Sequence, residues 1–271
     1  MCIFVVRGGF FTDCRCTQAK MKFLLTIIFF YTLTCEGQNK FDSAQKTFKS
    51  FYSKITRQFV IIDSLRNVDF DQLEAANNEV IKILNAYKAE IFNFSDTLDY
   101  DLIYLVKSSD KKLALISWDT RTGGTMIAFT TMAIFKSSQS IETKMLLGTT
   151  DENMPLTYMH YNSINTITKH SGERVYLAWG NGQGSTIIPW QELKAFSIFR
   201  SKLIEPKIFP NSASSIQVEF DLNSFPNNQK VPVVKIENGG TTIQVPIEND
   251  RQGFSGKYKT YVFNGKVFKV R

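Results

Sequence analysis

The spacing of apolar residues divides the chain into a helical part and a strand-forming part. Between residues 42 and 94, apolar side chains recur at steps of three and four, which predicts two amphipathic helices. Asp42 or Ser43 can cap the first helix, and the second is expected to begin after Asp69 or Asp71. The apolar positions are Phe48, Phe51, Tyr52, Ile55 and Phe59 in the first helix, and Leu73, Ala76, Val80, Ile83, Leu84 and Tyr87 in the second.

After residue 100 the apolar runs become short and are separated by turn residues. Residues 101–106 and 113–118 flank a polar turn and predict a hairpin, while Asn238-Gly239-Gly240 and Asn264-Gly265 suit tight turns. The pattern predicts a mainly β fold, an antiparallel meander forming a sandwich, a barrel or a small propeller-like body, preceded by two N-terminal α-helices. The further predicted strands cover 126–135, 144–147, 155–161, 174–179, 185–190, 195–199, 216–220, 231–236, 241–247 and 258–270.

The N-terminal region has the pattern of an export signal. Lys22 precedes an apolar run of about twelve residues, the length of a signal-peptide core and too short to span a bilayer comfortably. Met21 is the natural start of this signal. The sequence therefore predicts four segments: 1–20, a non-native extension or an unusually long n-region of the signal; 21–35, a signal peptide; 36–99, helices packing on the β body; and 100–271, the antiparallel β domain.

The cysteines lie in the leader and at its end. They are Cys2, Cys14, Cys16 and Cys35, so the predicted mature fold contains no disulfide. Cys35 stands where a signal would be cut, which leaves two alternatives: lipidation of Cys35, or cleavage and release. The pair Cys14 and Cys16 has no second ligand pair nearby, so we expect no metal site and no cofactor.

Charge changes the picture once the leader is set aside. The full chain has 32 basic and 25 acidic residues, but removing residues 1–35 leaves 28 and 24, a net charge of +4. No run of five like charges occurs. Because nucleic-acid binding requires clustered positive charge, the sequence predicts no nucleic-acid partner. The expected partner is a protein or a small polar ligand, with membrane contact only through a lipid anchor at Cys35.

The segment from Ser117 to Met126 is the most distinctive in the chain and supplies the candidate ligand-binding residues. Trp118 can form an apolar platform, with Asp119 as acceptor and Arg121 as forked donor. The alternative is structural: Trp118 completes the core, Asp119 accepts turn N–H groups and Arg121 pairs with Asp119. His160 is a further candidate, expected on a strand.

The same segment carries a family resemblance. Ser109-Asp110-Lys111-Lys112, followed by Ser117-Trp118-Asp119-Thr120 and Gly123-Gly124-Thr125-Met126, resembles uncharacterised exported, lipoprotein-like proteins of Gram-negative bacteria. The leader ending in Cys35-Glu36-Gly37-Gln38 is similar to envelope lipoprotein leaders. The resemblance implies an envelope location and a β-rich body, but no activity and no site residues.

Catalytic signatures are weak in this sequence. The string from Gly180 to Gly184 lacks the following helix that a dinucleotide loop requires, so a hairpin loop is predicted there. No nucleophile-elbow motif occurs. We therefore expect an exported envelope or secreted binding module that uses strand-connecting loops, rather than an enzyme. The alternatives are a secreted hydrolase acting on an envelope or extracellular polymer, which needs two carboxylates or His160 and a carboxylate in one cleft, and a secreted effector or toxin.

Overall fold

The structure is a computed structural model, and it separates into two compact units, Met1–Lys49 and Ser50–Arg271. All the sites considered below lie in the second unit. The segments 1–20 and 21–35, Cys35 and the cap candidate Asp42 lie outside the described residues. The structure describes residues 43, 45–65, 69–94, 103–124, 126–138, 140–146, 157–225, 230–251 and 253–271.

Two helices come first in the chain. Helix α1 covers residues 45–64 and helix α2 covers Phe70–Ala86. Helix α2 begins where the sequence predicts, because the Asp69 carboxylate accepts a hydrogen bond from the backbone N–H of Gln72 at 3.0 Å. Each helix has one apolar face. The buried apolar residues are Phe51, Ile55, Phe59 and Ile62 in α1 and Leu73, Ala76, Val80, Ile83 and Leu84 in α2, whereas Tyr52 is exposed.

The first sheet is a four-stranded antiparallel meander in the order β1-β2-β3-β4. The hairpin predicted around residues 108–112 joins its first two strands. All seven residues of β2 are buried, so both faces of this sheet are covered. The strands are β1 (Ile103–Lys107), β2 (Leu113–Asp119), β3 (Phe129–Lys136) and β4 (Ile141–Leu146).

The second sheet contains the longest strands. Its order is β5-β6-β7-β8, and β9 also pairs with β7. The sequence predicts separate strands at 185–190 and 195–199, and this was wrong, because one continuous strand runs from Ile188 to Phe199 and Ser185 ends the strand before it. The strands are β5 (Met159–Thr168), β6 (Arg174–Ser185), β7 (Ile188–Phe199), β8 (Lys202–Ile204) and β9 (Ser215–Glu219).

The third sheet has the order β10-β11-β12-β13. The two glycine turns predicted from sequence are confirmed. Asn238, Gly239 and Gly240 have φ of 51°, 65° and 97° in a 3-10 turn between β10 and β11, and Gly265, with φ 85°, lies between β12 and β13. The strands are β10 (Lys235–Glu237), β11 (Thr242–Glu248), β12 (Phe254–Phe263) and β13 (Phe268–Val270).

Alternating side chains of the second sheet fill two separate cores. Tyr176 and Ala178 of β6 pack with Leu113 and Leu115 of the first sheet, whereas Val175 and Leu177 pack with residues of the third sheet. The second sheet is therefore the central layer of the three, and the helices contact the opposite face of the first sheet. The predicted fold class is confirmed: two helices precede antiparallel sheets arranged as a sandwich-like meander.

The predicted loop at Gly180–Gly184 was wrong, because these residues lie within β6. A Cβ atom on Gly180 would overlap the backbone carbonyl oxygen of His160, and one on Gly182 would overlap the indole of Trp190. The glycines let β5 and a neighbouring tryptophan approach the β6 backbone closely. Their spacing is therefore a packing feature, not a phosphate-binding loop.

Candidate functional site

Trp118 is enclosed by the fold. Its side chain is 0% exposed, and its indole Nε1 donates a hydrogen bond to Asn77 Oδ1 of helix α2 at 3.0 Å. The Asn77 amide in turn donates to the backbone oxygen of Thr120 at 3.0 Å. Asn77 therefore satisfies buried polar groups at the junction of helix and strand. No face of the indole is open to a ligand, so Trp118 does not form the accessible platform that one sequence interpretation requires.

Asp119 and Arg121 are partners of each other. The Asp119 carboxylate accepts hydrogen bonds from the Arg121 backbone N–H and from Arg121 Nη1, both at 2.8 Å. Arg121 Nη2 lies 3.1 Å from Asp63 Oδ1 in helix α1. Arg121 has φ 59°, and the Asp119 side chain supports this left-handed turn. The Arg121 guanidinium therefore links the end of β2 to helix α1. This arrangement agrees with the structural alternative, in which Arg121 pairs with Asp119.

His160 lies in an aromatic environment on β5. Its ring stacks on Tyr104 with centroids 4.0 Å apart and lies 4.9 Å from the Phe129 ring. Burial lowers the pKa of His160 to about 4, against a smaller opposing effect of Asn162, so the ring is neutral at physiological pH. No ion pair within the described part of the chain joins His160 to a carboxylate. The structure does not bring His160 together with Asp119 or Arg121 by a hydrogen bond.

An open groove lies where four β-hairpin turns meet at one end of the first and second sheets. Its cavity volume is about 950 Å³. We call it the hairpin groove. The turns are those of β1–β2, β3–β4, β5–β6 and β7–β8, and the lining includes Lys112, Lys136, Ser137, Ser138, Ser171, Gly172, Glu173, Arg174, Tyr176, Ile198, Phe199, Arg200 and Ser201.

Asp110 connects the two sheets beside this groove. One of its carboxylate oxygens accepts from Arg174 Nη1 at 2.7 Å and from the Tyr176 hydroxyl at 3.1 Å, while the other accepts from Ser108 Oγ at 2.7 Å. Burial alone would raise the pKa of Asp110, but the hydrogen bonds outweigh it and lower that pKa. The first hairpin is therefore held against β6 by a carboxylate that stays ionised.

Several turn residues have left-handed backbone conformations that make the hairpins tight. Lys111, Arg200 and Ser201 have φ of 53°, 46° and 59°, and Gly172 has φ 83°. Tight turns keep the side chains at the groove close to the sheet ends. The groove is thus built on paired strands, and its position depends on the register of the sheets.

The charges around the hairpin groove are unbalanced. Its one lining carboxylate, Glu173, is paired with Lys169 at 2.8 Å. Among the described residues, no carboxylate forms an ion pair with Lys112, Lys136 or Arg200. Arg200 lies 5.2 Å from the centroid of the Phe199 ring, and Phe199 is 51% exposed. The result is a basic groove with serine hydroxyls and one exposed aromatic ring.

Sequence reasoning anticipated strand-connecting loops but not these residues. Lysine and serine are common in turns, so nothing local distinguishes Lys112, Ser138 or Ser201 from other solvated turn residues. The one available signal was the recurrence of basic residues in successive predicted turns, which becomes meaningful only when the sheet order is known.

A second unanticipated feature is a buried carboxyl on β7. Glu192 is 7% exposed, and burial raises its pKa, with Lys194 and Ser215 opposing the rise and Glu205 adding to it. Lys194 Nζ lies 3.1 Å from Glu205 Oε2. By the alternation of β7, Glu192 faces the core between the first and second sheets, which also contains Phe196 and Tyr161.

Comparisons with known proteins add no information about the site. No protein-family model, curated protein or solved structure matches the chain. The resemblance to exported lipoprotein-like proteins therefore stays a prediction. Within the described ranges, no helix combines the length and apolarity of a membrane span, and no three His, Cys, Asp or Glu residues cluster as a metal site.

Proposed function

We propose that the protein is a non-catalytic binding module that holds an anionic ligand in the hairpin groove. The observation that carries the proposal is that Lys112, Lys136 and Arg200 line one groove and that no described carboxylate forms an ion pair with them, although Lys136 Nζ also lies 4.4 Å from the centroid of the Phe92 ring. Cations that line the same groove favour a bound anion, because the anion relieves their mutual repulsion.

The groove also indicates the chemical class of the ligand. Serine hydroxyls at 138, 171 and 201 can donate hydrogen bonds to carboxylate or phosphoryl oxygens, and lysine or arginine can make charge-assisted ones. The exposed Phe199 ring offers an apolar surface beside the charges. A cavity of about 950 Å³ exceeds the size of one small anion. A larger organic ligand that bears carboxylate or phosphoryl groups fits this combination.

Amide NMR spectroscopy on the full chain tests the proposal. Citrate and pyrophosphate serve as probes, and we expect saturable shifts of the amides of Ser138, Gly172 and Ser201. The triple variant K112A/K136A/R200A should weaken probe binding at least about tenfold, because three cations are removed.

A control variant on helix α2 and the segment after it, K82A/K88A, which removes two cations away from the groove, should bind the probes like the wild type. Uniform shifts over the whole surface, or equal binding by both variants, would show that the groove is not a site.

Export and attachment at Cys35 form part of the same proposal. A signal of the predicted length before Cys35 supports passage into an envelope or extracellular compartment. If Cys35 is lipidated, labelling of the native protein with a radioactive fatty acid will be lost in Cys35→Ala. Equal labelling of both proteins would refute lipidation and leave cleavage and release.

A hydrolase remains the second candidate because of Glu192. Burial raises the pKa of Glu192 and the charge of Glu205 adds to the rise, which is the direction that a general acid requires. The test is release of soluble dye from dye-labelled peptidoglycan by the wild type and by Glu192→Gln. Release that the variant abolishes would support hydrolysis, and absence of release, or unchanged release by the variant, would remove this role for Glu192.

A further inference from the structure

The third sheet carries positive charge that the rest of the chain does not. Residues 230–271 contain eight basic and three acidic residues, and after Asp250 there are six basic residues and no acidic one. The net charge of +5 in this region exceeds the +4 of residues 36–271, so the remainder of that part of the chain is close to neutral. The basic residues are Lys230, Lys235, Arg251, Lys257, Lys259, Lys266, Lys269 and Arg271, and all are exposed.

Strand register places part of this charge on one face. Ile243 and Tyr261 face inward and pack against the second sheet. Their neighbours along the strands, Gln244 and Val262, therefore point outward, and so do the residues paired with those two. Lys235 is opposite Gln244, and Lys269 is opposite Val262. Arg271, whose backbone N–H donates to Thr260 O at 3.0 Å, continues the same outward row. We call this surface the basic face.

Little within the described chain neutralises the basic face. No ion pair in the described ranges includes any of the eight cations. Lys235 Nζ lies 4.4 Å from the centroid of the Tyr258 ring, and the outward Glu237 carboxylate accepts from Gln244 Nε2 at 3.2 Å. The cations are therefore available to an external partner.

The spacing of the charges argues against a single small anion. Lys235 lies on β10 and Lys269 on β13, the two edges of a four-stranded sheet. Three strand spacings separate them by roughly 14 Å. One carboxylate or phosphate cannot contact both side chains, whereas a surface that bears many anionic groups can.

Apolar and aromatic residues among the cations favour a lipid surface over a soluble polyanion. Tyr258 and Val262 lie on the basic face, because they alternate with inward-facing Tyr261 along β12 and Val262 is in register with Lys269. Tyrosine and aliphatic side chains gain from contact with the interfacial region of a bilayer, and lysine and arginine gain from anionic headgroups.

We propose that the basic face of the third sheet binds the surface of an anionic phospholipid bilayer. This contact is separate from the hairpin groove and does not require lipidation of Cys35. The sequence alone predicted membrane contact only through a lipid anchor at Cys35, whereas this proposal gives the folded domain a membrane-binding surface of its own.

Vesicle co-sedimentation of the full chain tests this proposal. One set of vesicles contains phosphatidylcholine alone, and the other contains about one-third phosphatidylglycerol, enough to give a negative surface potential. We expect stronger binding to the anionic vesicles, weakened by salt because salt screens the charges. An acyl chain or the apolar leader would bind both vesicle types, so the difference between them reports the electrostatic contact.

Two charge-matched variants make the test specific. K235E/K269E/R271E should lower partitioning onto anionic vesicles at least about tenfold, whereas K112E/K136E/R200E, with the same change in net charge at the hairpin groove, should retain most of it. Equal loss in both variants would overturn the proposal, since net charge alone would then explain binding.

Two further outcomes would also overturn it. The first is equal binding of the wild type to neutral and anionic vesicles. The second is capture by immobilised polyphosphate without any preference for anionic vesicles, which would assign the basic face to a soluble polyanion. Neither outcome bears on the hairpin groove, whose probes are citrate and pyrophosphate.

Discussion

The segment around Trp118 and the hairpin groove contrast in composition and in exposure. The first contains tryptophan, arginine and paired glycines, and its side chains have partners within the fold: Trp118 contacts Asn77, and Arg121 contacts Asp119 and Asp63. The groove is lined mainly by common lysine and serine side chains, and Lys112, Lys136 and Arg200 form no ion pair among the described residues. Rare residues in one string can thus reflect a packing requirement, while common residues form a site when the fold brings them together.

The largest test of this contrast is truncation of Trp118. Trp118→Ala removes a fully buried side chain and leaves Asn77 Oδ1 without its indole donor, so we expect a loss of about 3–5 kcal/mol in the free energy of unfolding. Urea denaturation measures it. Trp118→Phe, which keeps most of the volume, should lose less. A loss near zero for Trp118→Ala would mean that the indole is not part of the core.

His160 provides a pH test of the packed region. Its pKa is about 4 in the folded protein and about 6.5 in the unfolded chain, so the unfolded chain binds the proton more tightly. The stability contributed by the neutral ring is fully present above pH 6.5 and is lost as the pH falls toward 4, by up to about 3 kcal/mol.

The measurement is the free energy of unfolding between pH 4 and pH 7. In His160→Phe, which keeps a ring against Tyr104 but cannot titrate, the pH dependence in this window should be smaller than in the wild type. The same slope in both proteins would show that His160 is not protected from protonation.

The glycines of β6 allow a matched pair of substitutions. Gly180→Ala would place a methyl group against the His160 carbonyl oxygen, and we expect a loss of about 1–3 kcal/mol. At Gly184 the nearest atom to an added Cβ is 3.5 Å away, so Gly184→Ala should leave stability nearly unchanged. Thermal unfolding compares the two, and equal effects would contradict the close approach at Gly180.

The smallest expected effects distinguish two arginines. Arg121→Met breaks ion pairs to Asp119, which is nearly buried, and should cost about 1–3 kcal/mol of stability. Arg200→Met removes an exposed turn cation and should change stability by less than about 0.5 kcal/mol. For pyrophosphate binding we expect the reverse order. If Arg121→Met weakens probe binding more than Arg200→Met does, the ligand site belongs to the Trp118 segment after all.

Local patterns identified much of the fold in advance. Helix α2 begins after Asp69, one of the two predicted positions, the 108–112 turn closes a hairpin, and the turns at Gly239 and Gly265 have positive φ. Local patterns failed at Gly180–Gly184, where glycine was interpreted as a turn signal. At Gly180 and Gly182, glycine is required because β5 and Trp190 approach the β6 backbone closely. These are tertiary contacts, which the local sequence does not show.

The candidate sites depended on more than local pattern. The sequence supplied the structural alternative in which Asp119 pairs with Arg121. It did not identify Asp63 and Asn77 as further partners, because these residues lie in helices 41 or more residues before Trp118 and Arg121. Net charge was also misleading as a guide to surfaces. A balanced total concealed the positive third sheet, since charges cancel in a sum but not when they lie on different faces.

The sequence by itself determined the order of two helices and a strand-rich body, because helical and strand periods are local properties of consecutive side chains. It also determined the total charge and the position of every cysteine. Only the tertiary structure decided that Trp118 is enclosed, that four turns meet at one groove and that the basic face lies on the third sheet. Each of these depends on sheet order and layer packing, which arise from contacts between residues far apart in the chain.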